Sequence, residues 1–233
     1  MKLEKHEIEA FQRDGFIGPL RAFSAQEIDL LVSGLSSILA GKEPTHHRHL
    51  NNKDVYALCT SPGIVGRISS LIGSDVLLWS SNFFVKEPGA RGTPWHQDQN
   101  NGGPPAIEPP LNFSVWLAID DVLVENSCLK FVAGPHLKTV NHAPPKDGDY
   151  FGLAETSSFD LSTAKNMELQ KGEIVIFTDR VLHSAEPNRS DIRRAGLAMR
   201  FTTPFVKVLR NIKSVVVSGE DRFGFNAIQS SPV

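Results

Sequence analysis

The sequence predicts an α+β protein in which the β part dominates, helices leading and an antiparallel barrel or sandwich following. Three observations point there. Apolar residues recur at helical spacing through the first 42 residues; from Val76 onward short runs rich in β-branched and aromatic residues take over; and Gly, Pro, Asn and Asp separate those runs.

Taken in order, "EKHEIEAFQRDGF" sets Ile8, Phe11 and Phe16 on one recurring apolar face. "SAQEIDLLVSGLSSILAG" opens with Ser24 and carries Glu27 three residues on, the capping-box pattern, and closes on Gly41. Leu30, Leu31, Leu35, Ile38 and Leu39 keep near-helical spacing within it. The polar "THHRHL" (45–50) reads as a solvated connector, and "SPGIVGRISSLIG" (61–73) as a further helix. The predicted strands are "VLLWSSNFFVKE", "LNFSVWLAIDDV", "SCLKFVAG", "GEIVIFTDRVLH" and "AGLAMRFTTPFV". Two connections are long, 99–110 and Pro135 to about Lys165; loops of that length in a compact domain serve as lids or binding loops. One domain over 1–233 is expected, with helical support in 1–75, the β core in 76–210 and a tail in 211–233.

A formal net charge of -2 gives no global field toward nucleic acid or anionic membrane. Cys59 and Cys128 are too few for a disulfide framework and suit a reducing cytosol. No apolar stretch approaches the roughly 20 residues of a membrane span, and the charged N-terminus lacks an apolar export region. The expectation is a soluble, cytoplasmic protein.

The chemistry is carried by "TPWHQD" (93–98). Alternate strand residues share a face, so His96 and Asp98 project together if the segment is extended. Two His and one carboxylate on one face of an iron(II) ion leave positions for a co-substrate and dioxygen. Of the eight histidines, His183 follows an apolar strand able to carry a ligand into a barrel interior. Arg194 lies past a turn, on a return strand that would bring it beside His183. There it could hold a carboxylate in a bidentate fork, which points to 2-oxoglutarate. An isolated H-x-D is more often an ordinary turn, and the downstream His and Arg shift that balance. The three histidines of "THHRHL" have no carboxylate in register, and "IDD" (119–121) reads as a strand-ending turn. His136 and His142 sit in or near the second long loop, where lid contact competes with plain exposure; His6 reads as surface.

"FQRDGFIGPLRAFSAQEI" (11–28), "NFFVKEPGARGTPWHQD" (82–98), "SVWLAIDDVLVENSCLKFVAGPH" (114–136) and "MELQKGEIVIFTDRVLHSAEPNRSDIRRAGLAMRF" (167–201) together resemble the phytanoyl-CoA dioxygenase superfamily of iron(II)/2-oxoglutarate enzymes. Within it the chain most resembles the bacterial branch that includes the syringomycin-type chlorinating enzymes. The resemblance implies a double-stranded β-helix, a cupin-like jelly-roll braced by N-terminal helices. It makes His96, Asp98 and His183 the catalytic iron ligands, and Arg194 the partner of the co-substrate's distal carboxylate, with Arg193 the alternative one position earlier. Trp116 falls where relatives place an aromatic near the co-substrate. In the chlorinating branch the carboxylate position is alanine or glycine; here it is Asp98, which implies a hydroxylase. The hydroxyl residue that some relatives have two positions after the distal His is Ala185 here, with Ser184 adjacent.

The implied reaction hydroxylates an unactivated C–H bond of a small polar substrate, with iron(II), 2-oxoglutarate and dioxygen, and ascorbate as supporting reductant. The chlorinating relatives point to an amino acid or its derivative in specialised biosynthesis, free or tethered to a carrier protein. Polar loop residues Asn100, Asn101, Arg91 and Lys146 suit such a substrate. An alkylphosphonate, or a natural-product intermediate undergoing desaturation or cyclisation, is the alternative within enzymes. A silent cupin-like binding protein is the alternative outside them, and has no need of both the triad and Arg194.

Overall fold

Glu4 and Glu7 form a reciprocal cap at the start of α1 (Lys5–Asp14), and Gly15, at φ 84°, ends it. The sequence places Phe16 on a helical face, but the chain instead turns into a strand, β1 (Phe16–Arg21). The left-handed Gly15 stops the helix and Pro19 cannot continue one; a sheet edge tolerates that proline, and β1 is an edge strand. The computed structural model describes residues 1–100, 105–145, 151–209 and 211–232. Asn101 and Lys146, and the side chain of Asn100, lie outside what is described.

The expected capping box opens α2 (Ala25–Val32): Glu27 N–H donates to Ser24 Oγ at 3.2 Å and Ser24 N–H to Glu27 Oε2 at 2.7 Å. A short turn leads to α3 (Ser36–Leu39). Asn52 caps α4 (Lys53–Cys59), accepting from the backbone of Asp54 and Val55, and Pro62 occupies the first turn of α5 (Pro62–Ile72).

Thirteen further strands follow: β2 (Val76–Lys86), β3 (Thr93–His96), β4 (Ile107–Glu108), β5 (Phe113–Ala118), β6 (Leu129–Phe131), β7 (His142–Ala143), β8 (Leu153–Ala154), β9 (Lys165–Met167), β10 (Glu173–Thr178), β11 (His183–Ala185), β12 (Arg194–Thr202), β13 (Lys207–Val208) and β14 (Val215–Ser218). A six-stranded sheet runs β1-β10-β5-β12-β2-β14 and a four-stranded sheet β3-β11-β6-β9, every pairing antiparallel. The two long connections are not structureless. β4 pairs with β13 inside the first, and β7 with β8 inside the second.

The large sheet is buried on both faces, and strand alternation divides its side chains. Val115, Leu117, Ile174, Ile176, Leu197, Met199 and Phe201 pack with Phe11, Ile28, Leu35, Leu58, Ile64 and Ile68 from the helices. Trp116, Ala118, Val175, Phe177 and Ala198 face the other way and pack with Leu129, Phe131 and Met167 of the small sheet. Helices therefore brace one face, and the cavity forms between the sheets on the other.

Residues 45–50 are not a solvated connector. Strand β14 covers only Val76–Leu78 of β2, leaving the rest of that edge unpaired. The segment fills it: His47 N–H donates to Ser81 O at 2.7 Å, Phe83 N–H to Thr45 O at 3.1 Å, and His46 forms a bridge with Asn82. His49 is fully buried with its Nδ1 2.7 Å from Ser81 Oγ. Among the described residues no single helix is long and apolar enough to cross a membrane.

Leu117 has no exposed surface and sits where the large sheet meets the helices. Leu117→Ala is expected to lower stability by about 2–5 kcal/mol in urea unfolding; a midpoint equal to wild type would contradict this view of the core.

Candidate metal centre

His96 closes β3 and His183 opens β11, and the two are direct partners across those strands. Both imidazoles are oriented in the same way. His96 Nδ1 lies 2.8 Å from Pro94 O and His183 Nδ1 2.9 Å from Val181 O. A carbonyl only accepts, so each Nδ1 carries the proton and each Nε2 keeps its lone pair. Apolar rings hold the planes: Phe151 stacks on His96 at 4.0 Å, and Phe131 and Phe177 flank His183 at 5.7 and 4.9 Å.

Asp98 completes the group. Its Oδ1 lies 3.8 Å from His96 Nε2 and 4.0 Å from His183 Nε2, too far for hydrogen bonds. Its Oδ2 is occupied, accepting from Ser114 Oγ at 3.0 Å and from Arg200 Nη2 at 3.3 Å. One ligand atom from each of the three residues lies within 4.8 Å of the others, the spacing of donors around one ion. His96 Nε2 is buried with no hydrogen-bond partner among the described residues, which suits a metal-ligand nitrogen. Burial pushes both histidines below their ordinary range, so they are neutral. Burial opposes the charge of Asp98, but the Arg200 charge above all, with the Ser114 bond, favours the ionised form, and the carboxyl is held well below its usual range. Neutral imidazoles and an ionised carboxylate are the protonation states that coordination requires.

Gln97, between the two ligands, points away and is fully buried. Its Nε2 donates to Lys138 O and Arg180 O, its Oε1 accepts from Val140 N–H, and its own N–H donates to His142 Nε2 at 2.9 Å. Thus His142 pins the metal strand from behind, while His136 reaches Gln12 O at 3.2 Å; neither lines the cavity that holds His96.

His96, Asp98, His183, Trp116 and Arg194 line one cavity of about 420 Å³. Arg194 and His183 do not lie on paired strands as the turn between them predicts; they face each other from opposite sheets. Arg194 is 2% exposed, donates from Nε and Nη2 to Ser127 O at 3.0 and 2.8 Å, and lies 5.1 Å over the Trp116 ring. No carboxylate pairs with it among the described residues, and burial lowers it to about 10. Ser127 adopts φ 83°, unusual for a residue with a side chain. Its Oγ donates to Glu186 O and accepts from Lys86 Nζ at 2.9 Å. Lys86, the cross-strand partner of Arg194, also lines the cavity and is pushed down to about 7 by burial and by the Arg194 charge.

Arg193 is turned the other way. It forms a two-pronged pair with Asp120 at 2.9 and 2.8 Å, and Asp120 also accepts from Ala195 N–H. The "IDD" segment follows the end of β5 at Ala118, as a strand-ending turn should, and its Asp120 clamps Arg193. Arg91 is exposed, and neither Ser184 nor Ala185 lines the cavity. Sequence reasoning missed Ser114, Arg200, Lys86 and Phe151. Arg200 shares the parity of Arg194 along β12, and Ser114 that of Trp116 along β5, and both could have been found that way.

Residues 11–196 match the family model for phytanoyl-CoA dioxygenase. The chain belongs to the phytanoyl-CoA dioxygenase family. It is 28% identical over 162 residues to the dioxygenase lolE1 of Epichloe uncinata, covering 69% of this chain and 58% of that protein. It is 27% identical over 142 residues to a 2-aminoethylphosphonate dioxygenase of an uncultured bacterium, covering 59% and 50%. The chain spans between 31% and 58% of the length of these and similar curated relatives. Among solved structures, CytC3 with Fe(II) and alpha-ketoglutarate aligns at TM-score 0.77 and 26% identity, covering 98% of this chain and 93% of that one. The non-heme monooxygenase ThoJ shares the fold at TM-score 0.77 and 23% identity, covering 96% and 86%. The family's jelly-roll is therefore the fold of this chain, and iron(II) and 2-oxoglutarate are the groups that its donor set and cavity fit.

A Cβ on Gly196 would lie 1.9 Å from Trp116 Cζ2, so glycine is what lets the indole lie flat beneath Arg194. Gly196→Ala is expected to displace Trp116, destabilise by about 1–3 kcal/mol and change the intrinsic Trp fluorescence. An unaltered spectrum and urea midpoint would show that the packing is looser than this.

Proposed function

We propose that the protein is an iron(II)/2-oxoglutarate-dependent oxygenase that hydroxylates a small polar molecule, an amino acid or its derivative being the first candidate. The observation that carries this is the pairing, in one cavity, of an intact His96–Asp98–His183 set with a buried arginine that has no counter-ion among the described residues. A cation in so dry a place is unfavourable unless an anion joins it. The distal carboxylate of 2-oxoglutarate supplies one.

In this reading His96, Asp98 and His183 hold the metal, and Arg194 orients the co-substrate against it. The bound iron supplies oxygen activation coupled to decarboxylation of 2-oxoglutarate to succinate. Ser127 O fixes one edge of the Arg194 guanidinium and Trp116 supports its face, so the fork is set before the diacid arrives. Ser114 and Arg200 occupy Asp98 Oδ2, leaving Oδ1 toward the metal. Phe151, Phe177 and Leu129 wall the site and keep water from it. Asp98 also supports hydroxylation over halogenation, because its carboxylate fills the position that a halide would take.

Cavity size favours a small substrate, free or presented on a carrier arm. Similarity to a 2-aminoethylphosphonate dioxygenase favours a second reading, an alkylphosphonate oxygenase. Succinate release from 2-oxoglutarate with iron(II) and ascorbate, screened against amino acids, aminoacyl carriers and aminoalkylphosphonates, separates the two. Absence of both succinate release and metal binding would return the chain to a silent binding protein.

Asp98→Ala is expected to weaken metal binding and lower succinate release by on the order of a hundredfold or more; wild-type turnover in this variant would refute the triad. Arg194→Ala should raise the KM for 2-oxoglutarate by about 2–5 kcal/mol in binding terms, with metal affinity unchanged. An unaltered KM would move the anchor elsewhere in the cavity.

A further inference from the structure

β12 sends alternate side chains into the cavity. Arg194 stands at its start, Gly196 and Ala198 leave room in the middle, and Arg200 stands six residues on. At about 3.3 Å per residue, roughly 20 Å of strand separates the two arginine backbones. The two arginines therefore enter the cavity at separate places, Arg200 beside Asp98.

Arg200 is not used up by its neighbours. Its side chain is 14% exposed, and its one hydrogen bond among the described residues is the single 3.3 Å contact to Asp98 Oδ2. That oxygen already accepts from Ser114 at 3.0 Å. A guanidinium carries several donors in a fork built for a paired acceptor, and most of this fork has none. The charge balance points the same way. A metal dication, Asp98, the 2-oxoglutarate dianion, Arg194 and Arg200 together leave a surplus of positive charge, in a cavity whose walls screen it poorly. Ile38 and Leu39 of α3 supply an apolar wall of the same cavity, and His46 lies near enough to feel the Arg200 charge.

We propose that Arg200 receives an anionic group, a carboxylate or a phosphonate, on the organic substrate, whose short apolar body lies against Ile38 and Leu39. The proposal rests on the oxygenase reading and narrows its substrates to acids. It makes Arg200 a specificity residue rather than only a support for Asp98.

The test uses the protein loaded with Mn(II) and 2-oxoglutarate under nitrogen, so that binding is read without turnover. Pentanoate, pentanamide and butylphosphonate are titrated by calorimetry into wild type, Arg200→Met and Arg200→Lys. At least one of the two anions should bind about tenfold or more tightly than the amide, and whichever does identifies the acid class. Arg200→Met should erase that preference and Arg200→Lys keep part of it, each variant being titrated at Mn(II) and 2-oxoglutarate concentrations that saturate it. Equal binding of acid and amide by the loaded wild type, or no binding of either anion, overturns the proposal. So does a metal- and 2-oxoglutarate-saturated Arg200→Met protein that still prefers the acid to the amide as wild type does. A wild type that binds neither Mn(II) nor 2-oxoglutarate strikes the oxygenase reading itself, which separates the two failures.

Discussion

Asp98 carries a charge where charge is expensive. Its carboxylate lies between two sheets, against phenylalanine rings, and only neighbours of opposite sign and good geometry make that tolerable. Most of the surrounding architecture can be traced to this requirement. Ser114 and Arg200 occupy one oxygen, and two imidazoles with their protons drawn to the far side present lone pairs near the other. Two lone pairs and a carboxylate oxygen lie close together, the donor set that a divalent cation takes. The protein thus stores in its fold an affinity that a metal relieves, which is how binding and folding become linked.

Holding that geometry depends on strand register. A slip of one residue between β3 and β11 would turn one histidine out of the site, since adjacent strand residues face opposite ways. Gln97 guards against it. Its amide ties the segments around Lys138, Val140 and Arg180 to the residue between the two ligands. The helices do similar work at longer range. By covering one face of the large sheet they allow both faces to be apolar, and the sheet that results is stiff enough to carry a cavity on its other side.

Much of this was legible in the chain. H-x-D, a histidine after an apolar strand and an arginine beyond a turn are local patterns, and local patterns survive translation into three dimensions. Capping at Ser24 and Glu27 was legible for the same reason. What failed was non-local. Phe16 fits a helical face until Gly15 takes a left-handed conformation and β10 offers an edge. The "THHRHL" segment looks solvated until one sees that β14 leaves most of β2 uncovered. The segment between His183 and Arg194 is a turn, as its residues predict, but it joins two sheets rather than two neighbouring strands. Lys86 becomes a site residue only through a strand whose partner lies far away in sequence.

The alternation of β12 has a consequence for how such a protein can change over generations. Ala195, Leu197, Met199 and Phe201 belong to the helix-facing core, while Arg194, Ala198 and Arg200 belong to the cavity. One strand thus keeps two accounts with few shared positions. Drift on the odd-numbered side is filtered by whether the chain still folds, and drift on the even-numbered side by which molecule it still accepts. A lineage can exchange Ala198 and reshape the cavity while the opposite face goes on inheriting the same scaffold.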